Sequence, residues 1–223
     1  MKVFIITIEG MDSSERLAAK AFESAKQFGY EAFYFAAYTK DDSLSLFEDH
    51  NIKPVWDYNI PYFDLYNKWT SVPGTRGCFA SHYALWNICV EFNEPIIILE
   101  HDAILLREWS SPEWSDVLHL DWEGSIRRRK MRNGFDQYCT VQENSVFRMG
   151  FSPGEASGVH SMNCTYAYAI NPNGAKKLIN ETKINGWFAS DRFIREPIVS
   201  IETIHPKIAE EQPEAIEMFT TAF

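Results

Sequence analysis

The sequence is short of positive charge, of paired cysteines and of long apolar runs, and each shortage removes a class of function. Lys and Arg total 21 against 31 Asp and Glu among 223 residues, a formal net charge of -10. A surface of that sign does not attract nucleic acid or an anionic membrane non-specifically over most of its area. The four cysteines, Cys78, Cys89, Cys139 and Cys164, include no C-x-x-C pair, so neither a zinc knuckle nor a dithiol redox motif is encoded. They are expected as reduced, mostly buried thiols. No run approaches the roughly 20 apolar residues of a membrane span. The opening MKVFIITIEG has too short an apolar part, and no small-residue cleavage pattern, for a signal peptide. A soluble, cytoplasmic protein is therefore expected. Walker and Rossmann glycine patterns, internal repeats and low-complexity segments are absent as well.

What is present is core-forming material: 45% of residues are hydrophobic and 15% aromatic, enough for one large domain or one domain with an appendage. KVFIITI (2–8) reads as a strand, and Asp12-Ser13-Ser14-Glu15 offers helix-capping groups. Leu17, Ala18, Ala21, Phe22, Ala25 and Phe28 then share one helical face, Gly29 suits the stop, and EAFYFAAY (31–38) returns to strand character. Residues 39–77 have no clean period and read as a long covering segment with at most one short helix. Cys78 to Phe92 is helical, with Phe79, Tyr83, Trp86 and Val90 on one face, and Pro95 separates it from a strand at 96–99. A second irregular excursion covers roughly 107–157; TYAYAI (165–170) is a strand, and Asn171-Pro172-Asn173-Gly174 opens the helix AKKLIN. The repeated strand-helix-strand order predicts an α/β sheet, and the last twelve residues read as an acidic tail.

One stretch stands apart. EPIIILEHDAIL (94–105) runs an aliphatic strand straight into Glu100, His101 and Asp102, and burying acids there is costly unless something uses them. In open α/β sheets ligands bind beyond the carboxyl ends of the strands, where this triplet sits. An acid-x-acid triplet can hold a divalent cation that clamps a diphosphate. A solvated turn after a core strand is the competing explanation, and the triplet by itself does not separate them.

The surrounding residues do. GTRGCFASHYALWNICVEFNEPIIILEHDAIL (74–105) resembles the signature segment of glycosyltransferase family 25, which includes bacterial lipooligosaccharide and collagen galactosyltransferases. The family pattern is approximately P-G-x-x-G-C-x-x-S-H, a tryptophan-bearing helix, and an apolar strand ending in E-D-D. Pro73, Gly74, Gly77, Cys78, Ser81, His82, Leu85, Trp86, Glu100 and Asp102 match in order and spacing. Glu15-Arg16 after the first strand, TYAYAINPNGAKKLI (165–179) and Ser190-Asp191-Arg192-Phe193 resemble further family blocks. One departure is His101, which replaces the middle acid of the family triplet.

The resemblance implies a GT-A-like fold over 1–223: a nucleotide-sugar half at about 1–106, an acceptor half at about 107–210, and the acidic tail. It implies an inverting, metal-dependent transfer of a hexose, galactose by family analogy, from a UDP-linked donor to a hydroxyl of a glycan acceptor. Mn2+ or Mg2+ would be held by Glu100 and Asp102, with His205 as a distal ligand and His160 as its competitor. Glu100, Gly74, Gly77, Ser81 and His82 are the expected donor-site residues, and Asp191 the expected general base. Structural alternatives stand beside these roles: Ser81 and His82 as a helix-capping pair, Asp191 as a cap paired with Arg192 or Arg195, Gly74 and Gly77 as turn formers. The run Arg127, Arg128, Arg129, Lys130 and Arg132 is either a solvated loop or a contact for phosphate, lipid or nucleic acid. Trp56, Trp69, Trp109, Trp114, Trp122 and Trp187 include at most one or two sugar-stacking platforms. Two further functions remain open: a catalytically weakened nucleotide-sugar or glycan-binding homologue, and a glycosyltransferase acting on modified bases in DNA, against which the net charge counts.

Overall fold

The fold is described from a computed structural model, which describes residues 1–53, 73–109, 113–121, 145–148, 161–162 and 164–215. Its elements are β1 (Lys2–Thr7), α1 (Asp12–Gln27), β2 (Glu31–Ala36), α2 (Asp42–Asp49), α3 (Pro73–Phe92), β3 (Ile96–Glu100), β4 (Ala103–Leu105), β5 (Val117–His119), β6 (Ser145–Arg148), β7 (Ala167–Ile170), α4 (Pro172–Asn185), α5 (Ser190–Phe193), β8 (Ile201–His205) and β9 (Ala209–Glu211). The expected α/β sheet flanked by helices is the one observed. Seven strands pair in the order β2-β1-β3-β7-β5-β8-β6, and β4 and β9 form a separate pair. β2, β1, β3, β5 and β8 run in one direction, while β7 and β6 run against them.

Both faces of this sheet are covered, which is why its central strands read as unbroken apolar runs rather than as alternating ones. Phe4 and Ile6 of β1, Ile96 and Ile98 of β3 and Tyr168 and Ile170 of β7 pack with Phe79, Tyr83 and Trp86 of α3 and Leu178 of α4. Val3, Ile5, Ile97, Leu99, Ala167 and Ala169 point the other way, against Ala18, Ala21 and Ala25 of α1 and Leu105 of β4. Ile96, Ile97, Ile98 and Leu99 are all fully buried, and each such side chain contributes roughly 1.5–3 kcal/mol of transfer free energy.

Several local readings change in detail. The acids and serines lie in the first turn of α1 and do not cap it: Ser14 Oγ accepts from Ile8 N at 2.9 Å and Glu15 Oε1 from Gly10 N at 2.8 Å, so both hold the β1–α1 loop. α3 begins at Pro73 rather than Cys78. Gly77 explains how it can: a Cβ there would lie 2.4 Å from the carbonyl oxygen of Tyr38, so only glycine lets this turn of α3 rest on the chain leaving β2. TYAYAI narrows to β7, which lies antiparallel to β3. The start of the acidic tail is fixed rather than loose, with Gln212 buried and Lys20 Nζ 2.6 Å from Glu214 Oε1. Among the described residues no helix is long and apolar enough to cross a membrane. Trp56, Trp69, Trp122, Cys139, His160 and the basic run 126–132 lie outside the described residues.

Candidate active site

The five co-directional strands bring their carboxyl ends to one edge, and Glu100 is the last residue of β3 at that edge. His101 and Asp102 make the turn into β4. That turn is held by a residue far along the chain: Gln212 N donates to Asp102 O at 2.6 Å, and Gln212 Nε2 donates to the carbonyls of His101 and Leu17, each at 3.0 Å. Three backbone carbonyls around the acidic triplet therefore share one buried amide residue as their donor.

α3 supplies the second wall. Cys78, His82 and Trp86 are spaced four apart, so they stack on one helical face turned towards β3 and β7. Trp86 Nε1 donates to Tyr168 Oη at 2.9 Å, Tyr168 Oη lies 2.9 Å from His82 Nδ1, and His82 Nε2 lies 3.2 Å from Glu100 Oε1. Indole can only donate, so Tyr168 Oη accepts from Trp86; in the tautomer with its hydrogen on Nε2, His82 takes the Tyr168 hydroxyl hydrogen at Nδ1 and points Nε2–H at the carboxylate. The His82 side chain is fully buried, whereas that of Glu100 is 25% exposed, so the relay carries order from the core to the rim.

β7 supplies the third wall because it is antiparallel. Its entry residue, not its exit, lies at the carboxyl edge of β3, and Thr165 Oγ1 donates to Glu100 Oε1 at 2.9 Å. α4 then returns to the same edge and delivers α5: Ser190 Oγ is 3.4 Å from Thr165 Oγ1 and 3.3 Å from Cys78 Sγ. Asp191 follows directly, 41% exposed, with Arg192 Nε 3.9 Å from its Oδ2.

The electrostatics follow from this crowding. Burial would lift the Glu100 carboxyl, but hydrogen bonds from His82 and Thr165, with attraction to the His82 and His101 rings, hold it below the ordinary carboxylate value. His101 is pushed below the ordinary histidine value by burial, against the pull of Glu100. The Cys78 thiol is pushed far up, first by burial and then by the negative charge of Glu100, Asp191 and Asp102. All three acids thus act on one sulfur atom, and this edge of the sheet is anionic.

The predicted site residues divide accordingly. Glu100, His82, Asp102 and Asp191 come together here. Asp191 lies inside the first turn of α5, where Ala189 is the cap position, and Arg195 instead approaches Glu181 at 3.9 Å, so the capping alternative for Asp191 does not hold although its approach to Arg192 does. Ser81 and His82 are in the interior of α3, not at its start, and cap nothing. Ser81 Oγ donates to Gly77 O and accepts from Tyr38 N, both at 2.9 Å, tying α3 to the exit of β2. Gly74 lies one turn earlier with open space where a Cβ would be. His205 ends β8, opposite Ser145 of β6 in register. Trp109 and Trp187 are buried in the core.

Sequence reading missed Thr165, Tyr168, Gln212 and Asp121. Asp121 follows β5 at this edge, fully buried, and accepts from Tyr166 Oη. Tyr166 and Tyr168 do carry a signal, since polar-tipped aromatics in a buried strand need partners. Gln212 carries none.

Comparison with known proteins bears on the family of the chain. Residues 1–194 match the model of glycosyltransferase family 25, described as a lipopolysaccharide biosynthesis protein. A "Glycosyltransferase 25 family member" of Aedes aegypti is 25% identical over 181 residues, covering 78% of this chain and 28% of that protein. The chain therefore spans well under a third of the curated relative it matches. The crystal structure of mouse xyloside xylosyltransferase 1, apo form, overlaps 86% of this chain and 80% of its own at 9% identity, with a TM-score of 0.35, a likeness too slight to bear on function.

Proposed function

This chain belongs to glycosyltransferase family 25, and we propose that it moves a hexose, galactose by family analogy, from a UDP-linked donor to a hydroxyl of a glycan acceptor with inversion at the anomeric carbon. The observation that carries this reading is the convergence of Glu100, Asp102 and Asp191 around one pocket at the carboxyl edge of the sheet, where α/β sheets bind nucleotides.

The carboxylates of Glu100 and Asp102 are hard oxygen donors of the kind Mn2+ and Mg2+ take, and Asp102 Oδ1 is buried at this edge. These residues fit such a cation, which when bound would neutralise the diphosphate of the donor. His205 joins this proposal as the distal ligand. His82 and Thr165 hold Glu100 in one orientation through its Oε1. Gln212 fixes the backbone of the triplet so that Asp102 cannot swing with the loop. Gly74, at the open first turn of α3, allows close approach of a nucleotide, while Gly77 and Ser81 keep that turn against β2. Asp191, on the exposed side of the pocket, accepts the acceptor hydroxyl proton as the oxygen attacks.

Calorimetric titration of UDP with and without Mn2+, into the wild type and Asp102→Ala, tests the donor site. Mn2+-dependent binding that the substitution abolishes is the expected outcome. Absence of UDP binding under every metal condition would sink the transferase reading and leave a weakened glycan-binding homologue, for which His101 in place of the family acid is the motivating residue.

A further inference from the structure

Transfer chemistry leaves one feature of the pocket unused, the sulfur of Cys78. Cys78 and His82 lie one helical turn apart on the same face of α3, and both reach the end of β3. Their donor atoms and a carboxylate oxygen of Glu100 all lie within 4.8 Å of one another. We propose that Cys78 Sγ, His82 Nε2 and Glu100 form a binding site for a thiophilic divalent cation of the zinc class, distinct in donor chemistry from the all-oxygen pair Glu100 and Asp102.

The geometry favours this class of ion. Zinc bonds of about 2.0–2.3 Å in a tetrahedron place neighbouring ligand atoms roughly 3.3–3.8 Å apart. His82 Nε2 and Glu100 Oε1, at 3.2 Å, are already close to that spacing, and closing the sulfur onto them takes a side-chain adjustment of at most about 1.5 Å. One sulfur, one imidazole and one carboxylate suit borderline-soft ions, and three protein ligands leave a fourth position for water. Glu100 and Cys78 are both partly exposed, so an ion can enter from the rim.

The surroundings point the same way. Glu100, Asp102 and Asp191 together disfavour a thiolate at Cys78 and favour a dication beside it. The second nitrogen of His82 is held by Tyr168, itself held by Trp86, an outer support that orients metal-binding imidazoles. Proton balance is simple. On binding, the S–H proton of Cys78 leaves to solvent as the metal–sulfur bond forms. The imidazole stays neutral: its hydrogen moves from Nε2 to Nδ1, where Tyr168 Oη accepts it with its second lone pair. About one proton is released per ion. Because Glu100 serves both donor sets, a zinc-class ion and a hard cation compete for it.

The test is titration of Co2+ alone into the purified full chain under mild reducing conditions. A near-ultraviolet thiolate-to-cobalt band that saturates at about one equivalent, with about one proton released per ion, is expected. Cys78→Ser should remove the band and His82→Asn weaken binding by more than the roughly 10- to 100-fold that loss of an outer support costs, while Cys89→Ser leaves both unchanged. No band in the wild type, or a band that survives Cys78→Ser, overturns the proposal. The outcome is independent of the donor reading: UDP binding can fail while the cobalt band persists, and the reverse.

Discussion

Two acids at opposite edges of the same sheet show what distinguishes a structural carboxylate from a functional one. Asp116 lies just before β5 at the edge away from the pocket, its side chain 4% exposed. It accepts from Lys177 Nζ at 2.6 Å, Asn173 Nδ2 at 2.7 Å and Ser200 N at 2.9 Å, and so joins α4, β5 and the entry to β8. Two of these donors come from α4 and one from the entry to β8, and one of them is a cation. Glu100 is more exposed, accepts from a ring nitrogen and a hydroxyl, and stands among further acids. One edge neutralises its acid and the other accumulates negative charge. The second arrangement suits a cation in a way that the first does not.

Substitutions at the two edges should therefore separate stability from activity. The largest expected effect is at the pocket: Asp191→Asn, nearly isosteric and on the exposed side, should lower kcat by about 10²–10⁴-fold, the usual contribution of a general base, with an unfolding midpoint close to the wild type. Retained turnover would remove Asp191 from the reaction. Next is Asp116→Ala, which strands the Asn173 amide and the Ser200 N–H; urea unfolding should show a loss of about 2–3 kcal/mol, while UDP affinity of the folded protein is unchanged. A loss of UDP binding without loss of stability would invert the comparison. The smallest effect is acid dependence. Glu100 and His101 both have folded values held below their ordinary ones. For the carboxyl, the stability gained is present at neutral pH and lost as pH falls through its lowered value. For the imidazole, protonation favours the unfolded chain, so stability falls as pH drops through the ordinary value of 6.5. Melting temperature should decline from pH 7 downward, and His101→Gln should flatten the upper part of that decline; an unchanged slope would show that His101 is not held neutral by burial.

How much of this was legible in the sequence depends on the range of the interaction. β1, α1, β2, β3 and α4 were readable because their signals are local: apolar runs, a helical face, and Asn171 capping α4 by accepting from Gly174 N at 2.9 Å. The acidic triplet was readable because acids ending an aliphatic strand are conspicuous, and Cys78, His82 and Asp191 were readable through family resemblance. Two departures have different ranges. Ser14 and Glu15 have the spacing of caps, yet they bond to the loop six and five residues back, whereas Ser81, expected at the donor site with capping as the alternative, bonds to Tyr38 N, which only the packed chain brings near. The direction of β7 was equally hidden, since a short apolar strand reads the same whichever way it runs.

The sequence by itself determined the α/β class, the strand that carries the acids and the candidate residues, because periodicity and chemical type are properties of neighbours along the chain. Tertiary structure decided which of those residues meet. Reversing β7 placed Thr165 beside Glu100 and Tyr168 beside His82, the return of α4 brought Ser190 and Asp191 to Cys78, and Gln212 locked the triplet from 110 positions away (212 against 102). Hydrogen bonds and charge act over a few ångströms in space, and no local pattern encodes which distant segments share them.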